Sequence, residues 1–229
     1  MPYKGCNFMF RLLAVLFLTI SQCAYSGVQI DGTRVIYNEK SNQVDLGINN
    51  SDDHPYLIQA WASKDINGHQ VDQTFIMTPP LFRLEPKSTN SVHIVYTGKE
   101  LPKDRESLFW MNIKSIPATD PNAKNKLTIN VKSVIKLLFR PEGLSGNSFD
   151  SEGQITFEHE LGKVFAINNS PYYITLSELS IDNKNVNDPP MIPPKSKIVI
   201  PGSFISAQNI KWKAINDLGG ISKEFHQGS

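Results

Sequence analysis

The side chains that most often carry catalysis or bind metals are scattered in this sequence. None of its five histidines stands at a zinc-like spacing from another. The run Glu158-His159-Glu160 is more typical of a solvated strand than of a metal site. The sequence therefore predicts neither a metal nor another cofactor. The histidines are His54, His69, His93, His159 and His226.

Serine is abundant, but its surroundings do not predict a nucleophile. The sequence contains neither a nucleophile elbow nor a glycine-rich phosphate loop. An exported hydrolase would need a nucleophile, a base and a residue that orients the base, and no such set can be identified. We therefore expect a protein that acts by binding and is not an enzyme.

The segment of residues 127–139 has the pattern that most suggests a function. Leu127, Ile129 and Val131 alternate with polar residues, as in a strand with one apolar face. Neither glycine nor proline interrupts these thirteen residues, whereas strands average about five to six residues. A long strand with a free edge invites pairing with another chain. Because alternation also fits an edge strand packed on its own core, both interpretations stay open.

The N-terminus has the pattern of an export signal. Lys4 and Arg11 flank the start of the apolar run 12–20, and Ala24 and Ser26 supply the small residues of a cleavage site. The apolar run is too short to span a membrane. No second hydrophobic stretch follows it, so we expect no membrane span in the mature chain.

Composition narrows the class of partner. Cys6 and Cys23 both lie in the predicted signal, so the mature chain has no cysteine and must rely on its hydrophobic core. The chain has 23 basic and 22 acidic residues, and removal of the signal leaves 21 basic residues and a net charge of about −1. This balance gives no electrostatic case for nucleic acid as a partner.

Short strands separated by turn residues dominate the first half and predict an all-β chain. Val44, Leu46 and Ile48 alternate with polar or small residues, which predicts one buried face. Roughly seven short strands fit an immunoglobulin-like sandwich, in which the third strand often buries a tryptophan, here Trp61. The predicted strands include residues 34–37, 43–48, 56–61, 92–96, 108–113 and 127–139.

A glycine- and serine-rich stretch, residues 143–153, predicts a linker or a domain boundary before a second series of strands. Ile-Asn-Asn-Ser followed by Pro-Tyr occurs at residues 48–56 and again at 167–172, which places the same hairpin in both halves. The second series comprises residues 155–158, 164–167, 172–179, 197–200 and 210–214. We therefore expect a signal peptide at 1–26, one domain at 27–142 and another at 143–229.

Residues 101–118, LPKDRESLFWMNIKSIPA, closely resemble the signature of PapD-like periplasmic chaperones of the chaperone–usher pathway. The resemblance covers the whole mature chain in the order of that family. It implies two immunoglobulin-like β-sandwich domains set at an angle, like a boomerang, with a cleft between them. Five further segments carry the resemblance: residues 32–37, 55–61, 78–86, 135–141 and 215–219.

The resemblance implies a mechanism and a location. Such a chaperone acts in the periplasm, completes a pilin-like subunit with its own edge strand, and delivers the subunit to an outer-membrane usher. The lent residues would be Leu127, Ile129 and Val131. The C-terminal carboxylate of the subunit would be held in the cleft by Arg34 and Lys136. From spacing alone, these two cations are also compatible with ordinary solvated strand ends.

Glu106, Arg140 and Asp217 match residues that form an interdomain salt-bridge network in this family, and their alternative is three unrelated surface charges. Lys136 presents a question of orientation, because it is out of phase with the alternating row that includes Leu127. Strand twist, or a bulge near residues 132–133, would be needed to re-aim it toward the cleft.

The connection across residues 117–126 is short and resembles that of the group that assembles rod-like or adhesive-tipped pili. The free edge also allows two unliganded copies to cap one another as a dimer. A structural alternative is a pilus subunit or adhesin built from the same sandwich. Residues 27–30 are too short for the donor arm that such a subunit needs, so we favour the chaperone.

Overall fold

The structure is a computed structural model that describes residues 27–118 and 127–228. The predicted signal peptide and most of the connection between residues 117 and 126 lie outside these ranges. Within the described ranges, no helix is long and apolar enough to cross a membrane.

The first half of the chain forms two facing β-sheets. One sheet has the strand order β1-β3-β7-β5, and the other has the order β2-β9-β8-β4-β6. Strand β9 runs parallel to β2 and antiparallel to β8. The strands are β1 (Val28–Ile30), β2 (Arg34–Asn38), β3 (Val44–Asn50), β4 (Tyr56–Ser63), β5 (Phe75–Thr78), β6 (Leu81–Leu84), β7 (Ser88–Tyr96), β8 (Ser107–Pro117) and β9 (Val131–Arg140).

Alternation along each strand builds the first core. In β3, Leu46 and Ile48 are buried and Asp45 is exposed, so one face of the strand packs against the opposite sheet. Phe75 makes an edge contact with Tyr37, with ring centroids 5.3 Å apart. The predicted all-β sandwich is therefore confirmed for this half of the chain.

Trp61 does not occupy the buried position that the immunoglobulin pattern predicts. Strand β4 turns Ile58, Ala60 and Ala62 into the core, which places Trp61 on the opposite face of the sheet, where it is half-buried. Its indole Nε1 donates to the Gly68 carbonyl at 3.0 Å. The prediction of a buried tryptophan here is wrong because it followed the general architecture, whereas the parity of β4 places Trp61 on the face away from the core.

The second half forms a further pair of sheets, with the orders β10-β11-β15 and β13-β12-β16-β17, and with β14 paired to β12. Trp212 is the buried tryptophan of this core. The elements are α1 (Ser148–Ser151), β10 (Thr156–Glu160), β11 (Lys163–Asn168), β12 (Ile174–Ile181), β13 (Lys184–Asn185), β14 (Met191–Ile192), β15 (Ser196–Val199), β16 (Ile210–Ile215) and β17 (Phe225–Gln227).

The stretch predicted as a linker is partly ordered as the short helix α1. Asn147 caps this helix, because its side-chain oxygen accepts a hydrogen bond from the Asp150 backbone N–H at 2.8 Å. Ser148 and Ser151 are buried. This part of the stretch is therefore ordered, and its assignment as the boundary between two domains stays a prediction.

A buried asparagine fastens the turn at the end of β3. The Asn50 amide nitrogen donates to the carbonyls of His54 at 2.8 Å and Glu85 at 2.9 Å. Its side-chain oxygen accepts from the Asp52 backbone N–H at 3.0 Å. One side chain thus joins two loops that are distant in sequence, and we call this arrangement the asparagine clasp.

The second domain repeats the asparagine clasp at the end of β11. Asn168 donates to the carbonyls of Tyr172 at 2.7 Å and Pro193 at 3.0 Å, and accepts from the Ser170 backbone N–H at 3.0 Å. Each clasp meets a Pro-Lys-Ser turn, at residues 86–88 and 194–196, whose lysine has a φ of 52°. The repeat seen in the sequence thus corresponds to the same local structure in both domains.

Candidate functional site

Strand β9 begins later than the sequence predicts. The predicted strand starts at Leu127, whereas the structure starts it at Val131 and leaves residues 127–130 without strand pairing. Val131 pairs with Ser115, the last position of β8 to which β9 is joined. Alternation alone predicted a strand here, but strand structure also requires a backbone partner, which these four residues lack among the described residues.

Part of β9 has one unpaired edge. Strand β8 pairs with β9 from Val131 to Phe139, whereas β2 covers the other edge only from Lys136 to Arg140. Among the described residues, the edge of residues 131–135 beside β2 therefore has no partner. Its N–H and C=O groups can receive a further strand.

Apolar side chains lead into this open edge. Leu127 is 83% exposed, Ile129 is 65% exposed and Val131 is 57% exposed. None of the three belongs to the core of the first domain. The interpretation that this row packs on its own core is therefore wrong, and the row is available to another surface.

Arg34 and Lys136 lie side by side at the inner end of the open edge. They are register partners on the parallel strands β2 and β9, so their side chains leave the sheet on the same face. Arg34 Nη1 donates to the Ile215 carbonyl of the second domain at 3.0 Å. Arg34 Nε is buried without a hydrogen-bond partner.

The two cations lack a neutralising partner of their own. No hydrogen bond or ion pair joins Lys136 to another side chain within the described residues. Burial lowers the pKa of Arg34, and burial together with the charge of Arg34 lowers the pKa of Lys136. An external carboxylate would raise the pKa of both residues and accept charge-assisted hydrogen bonds from them. We call this pair the cation clamp.

The orientation of Lys136 follows from ordinary strand geometry. Ile135, Leu137 and Phe139 face the core of the first domain, and Lys136 projects from the opposite face. The pairing of β8 with β9 runs without a register shift from Val131 to Phe139. Lys136 therefore reaches the cleft without a bulge, since the cleft lies on the face of the sheet that points away from the core.

Glu106, Arg140 and Asp217 lie in contact across the two domains. Arg140 Nε donates to Glu106 Oε1 at 2.7 Å, while its Nη1 and Nη2 donate to Asp217 Oδ2 and Oδ1 at 2.7 and 3.0 Å. Tyr173 N–H donates to Glu106 Oε2 at 2.8 Å, and Ser148 Oγ donates to Asp217 Oδ2 at 2.6 Å. Every member has a hydrogen bond into the other domain or a neighbouring element, and we call this group the interdomain brace.

Charges within the brace are held by their partners. Although burial opposes it, hydrogen bonds from Arg140 and Ser148 lower the pKa of Asp217. Burial likewise opposes the charge of Arg140, but Asp217 and Glu106 together raise its pKa. Burial raises the pKa of Glu106 despite its contact with Arg140. The Arg140–Asp217 pair is bidentate, which is a strong geometry for a charge-assisted contact.

The histidines and acidic residues outside this site are the groups that could offer a metal-binding arrangement. Across residues 27–118 and 127–228, no three His, Cys, Asp or Glu side chains are arranged to hold a metal ion. His93 Nδ1 lies 2.6 Å from Asp45 Oδ1 on the exposed face of a sheet. His159 Nε2 lies 2.7 Å from the Phe204 carbonyl, so both rings have local structural partners.

Glu152 is a residue near the clamp that the sequence interpretation missed. It follows helix α1, is only 6% exposed, and its carboxylate has no hydrogen bond or ion pair with the described residues. It lies in the stretch that was predicted to be a linker. The sequence offered no signal for it, because its burial depends on packing against β16.

Comparison with known proteins covers both halves of the chain. The family of pili and flagellar-assembly chaperones, PapD N-terminal domain, matches residues 27–145. The family of the C-terminal domain of the pili-assembly chaperone PapD matches residues 150–226. The two matches follow one another in the order of the two sandwiches.

Individual relatives match over nearly their full length. The chain is 40% identical to the chaperone protein FocC of Escherichia coli over 225 residues, which cover 93% of this chain and 97% of FocC. It is 34% identical to the chaperone protein FimC of Escherichia coli K12, covering 93% of this chain and 89% of FimC.

Solved structures agree with the fold. The periplasmic chaperone SfaE matches with a TM-score of 0.76 at 36% identity, covering 89% of this chain and all of SfaE. A chain from the complex of the Salmonella enterica SafA pilin with the SafB chaperone matches with a TM-score of 0.80 at 30% identity, covering 91% and 99% of the two chains. This chain therefore belongs to the PapD family of chaperones for pilus assembly in the chaperone–usher pathway.

Proposed function

We propose that this chaperone acts in the periplasm, where it captures pilin-like subunits and delivers them to an outer-membrane usher. Residues 127–135 pair with the subunit, and Leu127, Ile129 and Val131 fill its open groove. Arg34 and Lys136 hold the C-terminal carboxylate of the subunit. The interdomain brace of Glu106, Arg140 and Asp217 fixes the two domains around this site.

One observation carries the proposal: the open edge of β9 ends at the cation clamp. A site that bound only an uncharged strand would not need two adjacent cations that lack an anion. A site that bound only a small anion would not need a row of exposed aliphatic side chains. A peptide strand that ends in a carboxylate satisfies both features at once.

The geometry also sets the direction of the captured strand. Strand β9 runs from its open edge toward Lys136. A subunit strand whose last residue lies at the clamp must approach along the same direction. The incoming strand is therefore parallel to β9, as β2 is.

The energetic roles of the two parts differ. Burial of three aliphatic side chains contributes roughly 5–9 kcal/mol before the cost of association. Charge-assisted hydrogen bonds contribute about 1.5–3 kcal/mol each. The aliphatic row thus supplies most of the affinity, and the clamp fixes the register, because a slip of one residue would present the wrong face.

Several further assignments accompany this proposal. The N-terminal 1–26 act as the signal peptide, residues 27–142 carry the donor edge, and residues 143–229 supply the second wall of the cleft. From the short connection in the sequence, we assign the chain to the group of chaperones that assemble rod-like or adhesive-tipped pili. The complex of SafA pilin with SafB chaperone supports a pilin as partner class.

Co-purification from periplasm tests the proposal. We expect the wild-type chaperone to retain candidate fimbrial subunits, identified by mass spectrometry. Arg34→Ala and Lys136→Ala should lose these subunits while remaining folded. Lys163→Ala removes an exposed charge from the second domain and serves as the matched control. If both clamp variants protect subunits from degradation as well as the wild type does, the clamp has no role in capture.

A further inference from the structure

The loop between β16 and β17 meets the first domain beside the cation clamp. Gly219 lies in this loop with a φ of 81°, and a Cβ there would lie 2.7 Å from Thr33 Oγ1. Thr33 directly precedes Arg34, whose Nη1 donates to the Ile215 carbonyl at the end of β16 at 3.0 Å. The loop therefore borders the clamp at two points.

Hydrogen bonds fix this loop from within. Asn216 Oδ1 accepts from the backbone N–H groups of Leu218 at 3.0 Å and Gly220 at 2.9 Å. The Asn216 backbone N–H donates to the Gly220 carbonyl at 2.9 Å, and its carbonyl accepts from the Gly219 N–H at 2.9 Å. Asp217, the next residue, is bound to Arg140 in the interdomain brace. The loop is thus held by both domains.

Apolar side chains are exposed on this loop. Leu218 at its tip is 87% exposed and Ile221 at its end is 61% exposed, and neither belongs to a hydrophobic core. Ile221 is the antiparallel bridge partner of Ile215, so these two side chains project from the same face. That face points away from the second core, because the adjacent Ala214 points into it. We call Ile215, Leu218 and Ile221 the apolar shelf.

The position of the apolar shelf identifies its occupant. Exposed aliphatic side chains are ordinary when they are scattered, but neighbouring ones that adjoin a binding site indicate a contact surface. In the proposed complex, Arg34 binds the C-terminal carboxylate of the subunit while it is also bonded to Ile215. The last residues of the subunit then lie beside the shelf. A polar side chain buried there would lack hydrogen-bond partners, and a basic one would be repelled by the clamp.

We propose that the apolar shelf receives an apolar side chain from the last two residues of the captured subunit strand and makes the site selective for that end of the strand. This inference rests on the proposed role of the clamp in holding the C-terminal carboxylate. The pairing edge of residues 127–135 belongs to the first domain, whereas the shelf belongs to the second. The second domain thus reads the chemical character of the subunit terminus.

Two synthetic peptides test the apolar shelf. Both have about nine residues of valine and serine in alternation and end in a free carboxylate, the length needed to follow residues 127–135. They differ only in their last two residues, which are valine in one (the valine-ended peptide) and serine in the other (the serine-ended peptide). We expect the wild type to bind the valine-ended peptide roughly fivefold more tightly, and Ile221→Ser to reduce this ratio below about twofold.

The control variant makes the same change elsewhere in the second domain. Ile205 is 99% exposed in the loop before β16, at the far end of that strand from Ile215. Ile205→Ser should therefore keep the wild-type ratio. An unchanged ratio in Ile221→Ser would show that the shelf has no role. Leu218→Ser should act in the same direction and replaces Ile221→Ser if that variant does not fold.

Arg34→Ala distinguishes failure of the shelf from failure of the clamp. If Arg34→Ala binds both peptides as tightly as the wild type does, the clamp and this inference are both overturned. If Arg34→Ala loses both peptides and the wild type does not distinguish them, only the shelf is overturned. A dimer that Ile221→Ser dissociates in analytical ultracentrifugation, with an unchanged peptide ratio, would assign the shelf to a second copy of this chain and likewise overturn the inference.

Discussion

Arg34 and Lys136 are neighbours in register on two parallel strands, and neither has a carboxylate within hydrogen-bonding distance among the described residues. Two cations side by side raise the free energy of the empty site, because each is partly buried and each repels the other. An incoming carboxylate removes this repulsion. In the proposed complex, relief of this repulsion contributes to the affinity for the subunit.

Affinity for a peptide of about nine alternating valine and serine residues that ends in a free carboxylate (the acid peptide) should fall at alkaline pH, at a lower pH than the usual pKa of lysine would predict. Burial and the charge of Arg34 lower the pKa of Lys136 below its usual value of about 10.4. Binding an anion favours protonated Lys136, so affinity is full below that lowered pKa and is lost as pH rises through it. Lys136→Arg should keep its affinity to higher pH, because arginine stays charged.

Isothermal titration calorimetry of both proteins from about pH 7 to about pH 11 checks this expectation. Parallel curves for wild type and Lys136→Arg would show that Lys136 does not titrate against the carboxylate. The same peptide ending in an amide (the amide peptide) provides the matched control, and its affinity should change little over the same range.

Ile129→Ser should separate binding from folding. Because Ile129 is 65% exposed in the free chain, the free energy of unfolding should change by less than about 0.5 kcal/mol. Loss of the aliphatic group that fills the groove of the subunit should weaken subunit binding by about 2 kcal/mol, roughly thirtyfold. Asn130→Ser, at the neighbouring polar position, should bind normally, and equal losses for both variants would refute an alternating apolar face.

Asp217→Asn should lower stability in a manner that depends on pH. The lowered pKa of Asp217 means that its charge contributes stability above its unfolded value of about 3.9, and that this contribution is lost as pH falls through the folded value. At neutral pH we expect the variant to lose about 2–3 kcal/mol of unfolding free energy. The deficit should shrink below about pH 4.

Urea unfolding at neutral and acid pH measures this difference. Asp188→Asn, at an exposed position that forms no ion pair with the described residues, is the matched control and should stay near the wild type throughout. A deficit for Asp217→Asn that does not vary with pH would mean that the charge of Asp217 does not stabilise the brace.

The two asparagine clasps should matter about equally. Asn50→Ala and Asn168→Ala each remove a buried amide that serves several backbone groups, and each should cost roughly 2–4 kcal/mol of unfolding free energy. Asn38→Ala changes an exposed asparagine and is the control. Thermal unfolding followed by circular dichroism gives the comparison, and a neutral effect at either clasp would contradict its structural role.

Much of the fold could be predicted because alternation reports burial directly. Val44, Leu46 and Ile48 predicted a buried face, and the structure has that face. The same reasoning failed at Leu127, because a sequence pattern describes a single strand, whereas pairing also requires a neighbouring strand. It failed at Trp61 because the expectation came from an architecture and not from the parity of Ile58 and Ala60 in the same strand.

The candidate site was predictable only where the resemblance supplied its residues. Spacing alone does not bring Arg34 next to Lys136, since the parallel pairing of β2 with β9 joins residues more than a hundred positions apart. Glu152 escaped notice because serine and glycine around it predicted a linker. The Pro-Lys-Ser repeat, by contrast, was present in the sequence and could have identified both clasps.

The position of β2 has a consequence for what the open edge can accept. Strand β2 occupies the same edge of β9, runs in the same direction, and begins at Arg34, where the proposed subunit strand ends. A polypeptide that continued beyond its last residue would collide with the first residues of β2. We therefore expect the edge to bind a strand that ends at the clamp and to exclude, by steric clash with β2, a strand that continues past it.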